Sequence, residues 1–228
     1  MNTNKFRTAA RLALASAFVL TAAACSAACK KSVNYYDYVS EYRKNVFIYE
    51  DDGYLIKVYN SIKETPYALD GVKGVVGELT EVYFSCEARS DEVEIELLGK
   101  GGEMSWLAVS GNYYLSFSGG DSLDDATSLP VTVTVDGKSQ DFTVPNAKSE
   151  GCIDGKSALD CVLEYDGGTF KNLTDGTRFS GEICLRLIYD GGCYYYVGVC
   201  DREKQVHAYL VDGTDGRIIA ERQSEAEK

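Results

Sequence analysis

The chain has 228 residues, with 35 acidic against 23 basic side chains, a formal net charge of −12, a single His, eight Cys and 17 Tyr. This balance argues against a nucleic-acid or anionic-lipid binding surface, because displacing counterions needs clustered Lys and Arg. No Cys-x-x-Cys occurs and the cysteine spacings match no zinc template, with His207 the single imidazole beside them.

The first predicted element is a leader. Lys5, Arg7 and Arg11 precede an apolar run from Leu12 to Leu20, and small Ala22, Ala23 and Ala24 then lead to Cys25. A positive start, a short apolar middle and a small-residue end describe a secretory signal over residues 1–24. The apolar run falls short of the roughly 20 residues a membrane-spanning helix needs. Leu20-Thr21-Ala22-Ala23-Ala24-Cys25 resembles the lipobox of bacterial lipoproteins, which implies a diacylglyceryl group on the Cys25 thiol and cleavage just before it. The stretch departs from that pattern in having Ala22 where Leu is usual. Cleavage after Ala24 by an ordinary signal peptidase would instead leave a free thiol, and Ser26-Ala27-Ala28-Cys29 is a second, poorer box. The resemblance implies a protein on the extracytoplasmic side of the cell membrane, held there by its lipid. The leader carries three of the basic residues and no acid, so the chain from Cys25 onward is more acidic still.

Residues 25–33 read as a tether. Tyr35, Tyr38, Val39 and Tyr42 then recur at helical spacing, which predicts a short amphipathic helix over 34–44 with its Tyr stripe packed on the domain that follows. From Val46 to Val144 apolar and polar residues alternate between turn signals, the pattern of an antiparallel β module. Strands are expected at 45–50, 54–59, 81–86, 92–99, 104–109, 113–118, 131–135 and 140–144. Asp51-Asp52-Gly53, Lys100-Gly101-Gly102, Ser110-Gly111-Asn112 and Asp136-Gly137 supply turns between them. Seven or eight short strands predict an immunoglobulin-like antiparallel sandwich over 34–147.

Polar residues from Pro145 to Gly155 mark the expected boundary of a second, α+β domain over 148–222, with residues 223–228 as a tail. Asp154 or Ser157 caps a predicted helix through Tyr165 that buries Ala158, Leu159, Val162 and Leu163. Strands follow at 182–189, 194–200, 205–211 and 217–220, so this part reads as a helix packed on a small antiparallel sheet. Its last hairpin, Tyr209-Leu210-Val211-Asp212-Gly213-Thr214-Asp215-Gly216-Arg217-Ile218-Ile219, resembles the closing hairpin of PepSY domains. Asp215 and Gly213 depart from the residues common there. The resemblance implies a regulatory or peptidase-inhibiting role and carries over no active site.

Chemistry-bearing residues are few. His207 alternates with Val206, Ala208 and Leu210 and is expected on the opposite face of a strand, half-exposed. Asp121-Ser122-Leu123-Asp124-Asp125 and Asp212 to Gly216 offer oxygens but lack the spacing of a calcium loop. No metal site or cofactor is expected. With Cys25 assigned to lipid an odd number of cysteines remains, which makes Cys29 the expected unpaired thiol. An oxidising exterior would favour disulfides among the others, and in an anaerobic host they would serve as small buried hydrophobes. Tyr113-Tyr114 and Tyr194-Tyr195-Tyr196 place rings on both faces of their strands, and a ring with a polar tip suits a protein or sugar platform. The expected function is a non-catalytic lipoprotein that binds a protein or glycan. The alternative is a lipid-anchored hydrolase acting through paired carboxylates.

Overall fold

In the computed structural model, which describes residues 32–51, 53–119, 123–148 and 150–225, the stretch after Asn34 is not the expected helix. It makes one 3-10 turn, Tyr35–Tyr38, and enters strand β1 at Val39–Asp51. The i, i+3 recurrence of Tyr is real, but β1 has a hydrogen-bonded neighbour on each side. Aromatic and β-branched residues gain more on such a pleated surface than in a short isolated helix. Cys25, expected to carry the lipid, the expected leader and most of the expected tether lie outside the described residues.

Asn34–Asp175 and the chain from Phe179 onward form one compact unit. Its strands continue as β2 (Tyr54–Glu64), β3 (Val76–Cys86), β4 (Val93–Leu97), β5 (Lys100–Glu103), β6 (Ser105–Leu107), β7 (Asn112–Ser118), β8 (Ser128–Val135) and β9 (Lys138–Pro145). Two helices come next, α1 (Gly155–Tyr165) and α2 (Gly167–Asn172). Four long strands complete the fold: β10 (Gly181–Tyr189), β11 (Cys193–Asp201), β12 (Gln205–Asp212) and β13 (Ile218–Glu225). The last of these runs into the stretch expected to be a tail.

The fold is mainly β. One sheet has nine strands in the order β13-β12-β11-β10-β1-β2-β3-β7-β6, and a second has four in the order β5-β4-β8-β9. All neighbours in both are antiparallel except β1 and β10, which run parallel with Tyr42 opposite Leu185 and Arg43 opposite Arg186. The turn expected at 100–102 falls earlier, at Leu98 and Gly99, whose φ values of 54° and 72° fit a two-residue hairpin. Lys100–Glu103 is therefore paired strand.

The four-stranded sheet covers one end of the large one as a sandwich. Phe47, Ile56, Val58, Val82 and Phe84 from the large sheet meet Ile95, Leu97, Val131, Val133, Phe142 and Val144 from the small one. Over the other end, the same face is covered by helix. Asp154 caps α1 by accepting from the Ser157 amide at 2.7 Å, and Ala158, Leu159 and Val162 turn inward above the buried Ile183, Leu185, Leu187, Val197 and Val199. Gly155 donates its amide to the Tyr42 hydroxyl at 3.3 Å, which seats the start of α1 on β1. The boundary expected near residue 148 thus falls where the covering layer changes from sheet to helix, while the sheet beneath runs on.

Candidate functional site

Alternation along the strands sorts the side chains of the large sheet into two sets. One set forms the apolar core beneath the covering layers. The other carries Tyr, Arg, Lys and Glu. On β2, Ile56 and Val58 point to the core while Lys57 and Tyr59, both half-buried, point away. Tyr113 is buried and Tyr114 half-buried; Tyr195 is buried while Tyr194 and Tyr196 are half-buried. The Tyr clusters therefore contribute to both faces, as their strand positions require.

On the outer face a polar ribbon crosses six consecutive strands. Tyr114 of β7 donates to Glu81 of β3 at 3.3 Å. Lys63 of β2 lies 4.0 Å from both Glu81 and Glu41. Glu41 of β1 accepts from Arg186 of β10 at 2.6 Å, and the Arg186 guanidinium lies 5.6 Å from the ring centre of Tyr196 on β11. With strands about 4.8 Å apart, the ribbon is roughly 24 Å long. Beside it stands a tyrosine row, Tyr59 to Tyr83 at 5.5 Å and Tyr83 to Tyr114 at 5.1 Å between ring centres. The Arg43 guanidinium stacks 4.0 Å from the Tyr59 ring, a geometry in which the cation meets the negative π face.

Charge governs the protonation of these groups. Burial pushes Glu41 up, but the hydrogen bond and charge of Arg186, with the charge of Lys63, outweigh it and hold the carboxyl below its ordinary value. Burial and the nearby Glu81 push Tyr83 up to about 12, so its hydroxyl remains a donor at neutral pH. The Nε atoms of Arg43 and Arg186 are buried on this face without an acceptor among the described residues.

The loop of residues 65–75, between β2 and β3, crosses the same face. Glu64 accepts the Gly74 amide near its end at 2.7 Å, and one buried carboxylate gathers its middle. Glu182 Oε2 accepts the amides of Asp70 at 3.1 Å, Gly71 at 2.9 Å and Val72 at 3.2 Å, while Oε1 accepts the Ser40 hydroxyl at 2.7 Å. Burial nevertheless raises Glu182 above the usual carboxylate value. The loop brings Tyr67 over the ribbon, where it takes a bond from Arg186 at 3.1 Å and stacks with Lys63 at 4.6 Å.

The residues singled out from sequence are scattered around this face. His207 is half-buried on the helix-covered side, beside a polar depression of about 350 Å³ lined by Asp166, Thr169, Tyr209 and Glu221. Asp166 accepts from Tyr209 and Thr169 hydroxyls, each at 2.7 Å, and is held low by them. Asp212 and Asp215 accept amides within their own turn at 2.8 and 2.9 Å, which is turn chemistry. Asp124 pairs with Lys44 at 3.3 Å. Among the described residues no three His, Cys, Asp or Glu side chains converge as a metal centre.

Glu41, Lys63, Glu81 and Arg186 are absent from any sequence motif. The signal that marks them is a charge at an alternating position inside an apolar strand, as in Leu185-Arg186-Leu187. Searches of family models, of curated proteins and of solved structures find no match to this chain.

Proposed function

We propose that the protein is a non-catalytic binding module, held at the extracytoplasmic side of the cell membrane by a lipid on Cys25, whose tyrosine-rich sheet face engages a protein or glycan. One observation carries the reading: the row Tyr59, Tyr83 and Tyr114, with Arg43 stacked on it, stands half-buried on the face of the sheet that the sandwich and helices leave aside. Tyr and Arg are the residue types that dominate binding energy at protein interfaces. The row runs across neighbouring strands, whereas small-molecule sites are concave, so a macromolecular partner fits it better.

A helix followed by antiparallel strands supports the PepSY-like reading of residues 148–222, and with it a regulatory role. The hydrolase alternative finds less support. Glu41 and Glu182 do project from neighbouring strands with opposite shifts, but Arg186 occupies one and three loop amides the other.

A photocrosslinking residue at Ser116, exposed next to Tyr114, should trap an envelope protein or a glycan in intact cells. The same probe at Gln140, exposed on β9, should not. Arg43→Ala with Tyr83→Ala should weaken capture at Ser116 by roughly 30-fold, as loss of about 2 kcal/mol from an interface centre does. Equal labelling at both positions would overturn the assignment of the face. For the anchor, mass spectrometry should find a diacylglyceryl-modified N-terminal Cys in the wild type and none in Cys25→Ala.

A further inference from the structure

The segment ahead of α1 is fastened to the start of β11 by a short chain of backbone bonds. The Ile153 amide donates to Gly213 O at 2.7 Å, and the Gly213 amide donates to Cys193 O at 2.8 Å. The Tyr195 hydroxyl donates to Ile153 O at 2.9 Å from the same strand. Cys152 therefore sits one residue from Ile153, which Gly213 links to Cys193, and the Cys193 side chain is close enough to Cys152 to act on its ionisation. Cys193 is 8% exposed, with its thiol 3.5 Å from Ala147 O, while Cys152 is half-buried and open to reagents.

We propose that Cys152 and Cys193 are a redox pair that closes into a disulfide under oxidising conditions and staples the helical layer onto the large sheet. The bridge encloses α1, α2 and β10, so closing it fixes the register between helices and sheet. The oxidant is a small-molecule or protein disulfide. Cys152, the accessible thiol, attacks one sulfur of that disulfide as the thiolate and releases one reduced thiol. Cys193 then attacks the Cys152 sulfur and releases the second. The two electrons reduce the oxidant's disulfide, and the two cysteine protons end on the released thiols. Burial and the neighbouring Cys193 push Cys152 up to about 12, so thiolate is scarce at neutral pH. The closing rate should rise roughly tenfold per pH unit over the neutral to mildly alkaline range.

The chemistry of the pair is independent of the proposed location; only its oxidation in the cell rests on the extracytoplasmic reading. The test begins with purified full-length protein in reduced and oxidised glutathione mixtures, quenched with acid, alkylated and digested without reduction. A cross-linked peptide joining Cys152 to Cys193 is the expected product. It should survive Cys161→Ser, at a half-buried thiol on α1, and vanish in Cys152→Ser and Cys193→Ser. Should Cys193→Ser fail to fold, the half-exposed Cys152→Ser still decides the matter. Both thiols alkylated in fully oxidising glutathione, or Cys152 trapped only as a mixed disulfide, would overturn the proposal. A second arm alkylates intact cells before lysis. A bridge formed in glutathione but open in those cells upholds the pair and counts against the oxidising exterior instead.

Discussion

Glu41 and Glu182 are both almost fully buried, yet they pull the pH dependence of stability in opposite directions. Glu41 has a folded value below its unfolded one, so its stabilising contribution is complete above the ordinary carboxylate range and is lost as pH falls through the lowered value. Glu182 has a raised folded value. Its contribution is complete below the ordinary range and is lost as pH rises through the raised value. Replacing Glu41 with Gln should cost about 2 to 3 kcal/mol near neutral pH, since it leaves the Arg186 charge with a weaker partner. That cost should shrink on acidification in a urea-unfolding series. In Glu182→Gln, the stability that the wild type gains as pH drops towards about 4 should disappear. Parallel pH profiles for the two variants would contradict this account. Neither residue was legible in the sequence, because among 35 acids only the fold distinguishes a carboxylate facing Arg186 from one facing water.

At the level of elements, the legible parts were those written locally. Asp136-Gly137, the Asp154 cap and the alternation of β10 to β12 are encoded within a few residues, and each lies where expected. The helix expected over 34–44 fails for the complementary reason: its competitor joins the hairpin to β2 with a parallel pairing to β10, a strand far away in sequence. Gly213 is set by a close approach of backbone to backbone. A Cβ there would sit 2.5 Å from Cys193 O and 2.9 Å from Cys193 Cβ, so the turn after β12 can approach β11 only with Gly at this position. Gly213→Ala should cost about 1 to 3 kcal/mol and expose the 153–213 contact. Faster hydrogen exchange at the Ile153 amide is the measurement; unchanged protection there would show that the turn relaxes without cost.

For the molecule as a whole, the decisive contact is the parallel ladder between β1 and β10. It makes one sheet out of strands that sequence alone assigns to two modules, and it could not be read locally, since Ser40 and Glu182 are 142 residues apart. Residues 34–147 expressed alone should therefore leave one edge of β1 unpaired, Ser40 without Glu182 and Glu41 without Arg186. Such a fragment should self-associate or lose protection along β1, whereas residues 34–228 should unfold in a single urea transition. A monomeric fragment with full β1 protection would sink this prediction. The same ladder sets an order of events during synthesis. At about 5 to 20 residues per second, β1 emerges roughly 7 to 30 s before its parallel neighbour exists, so the first long strand of the chain must wait, edge open, until synthesis is well into the last third of the chain.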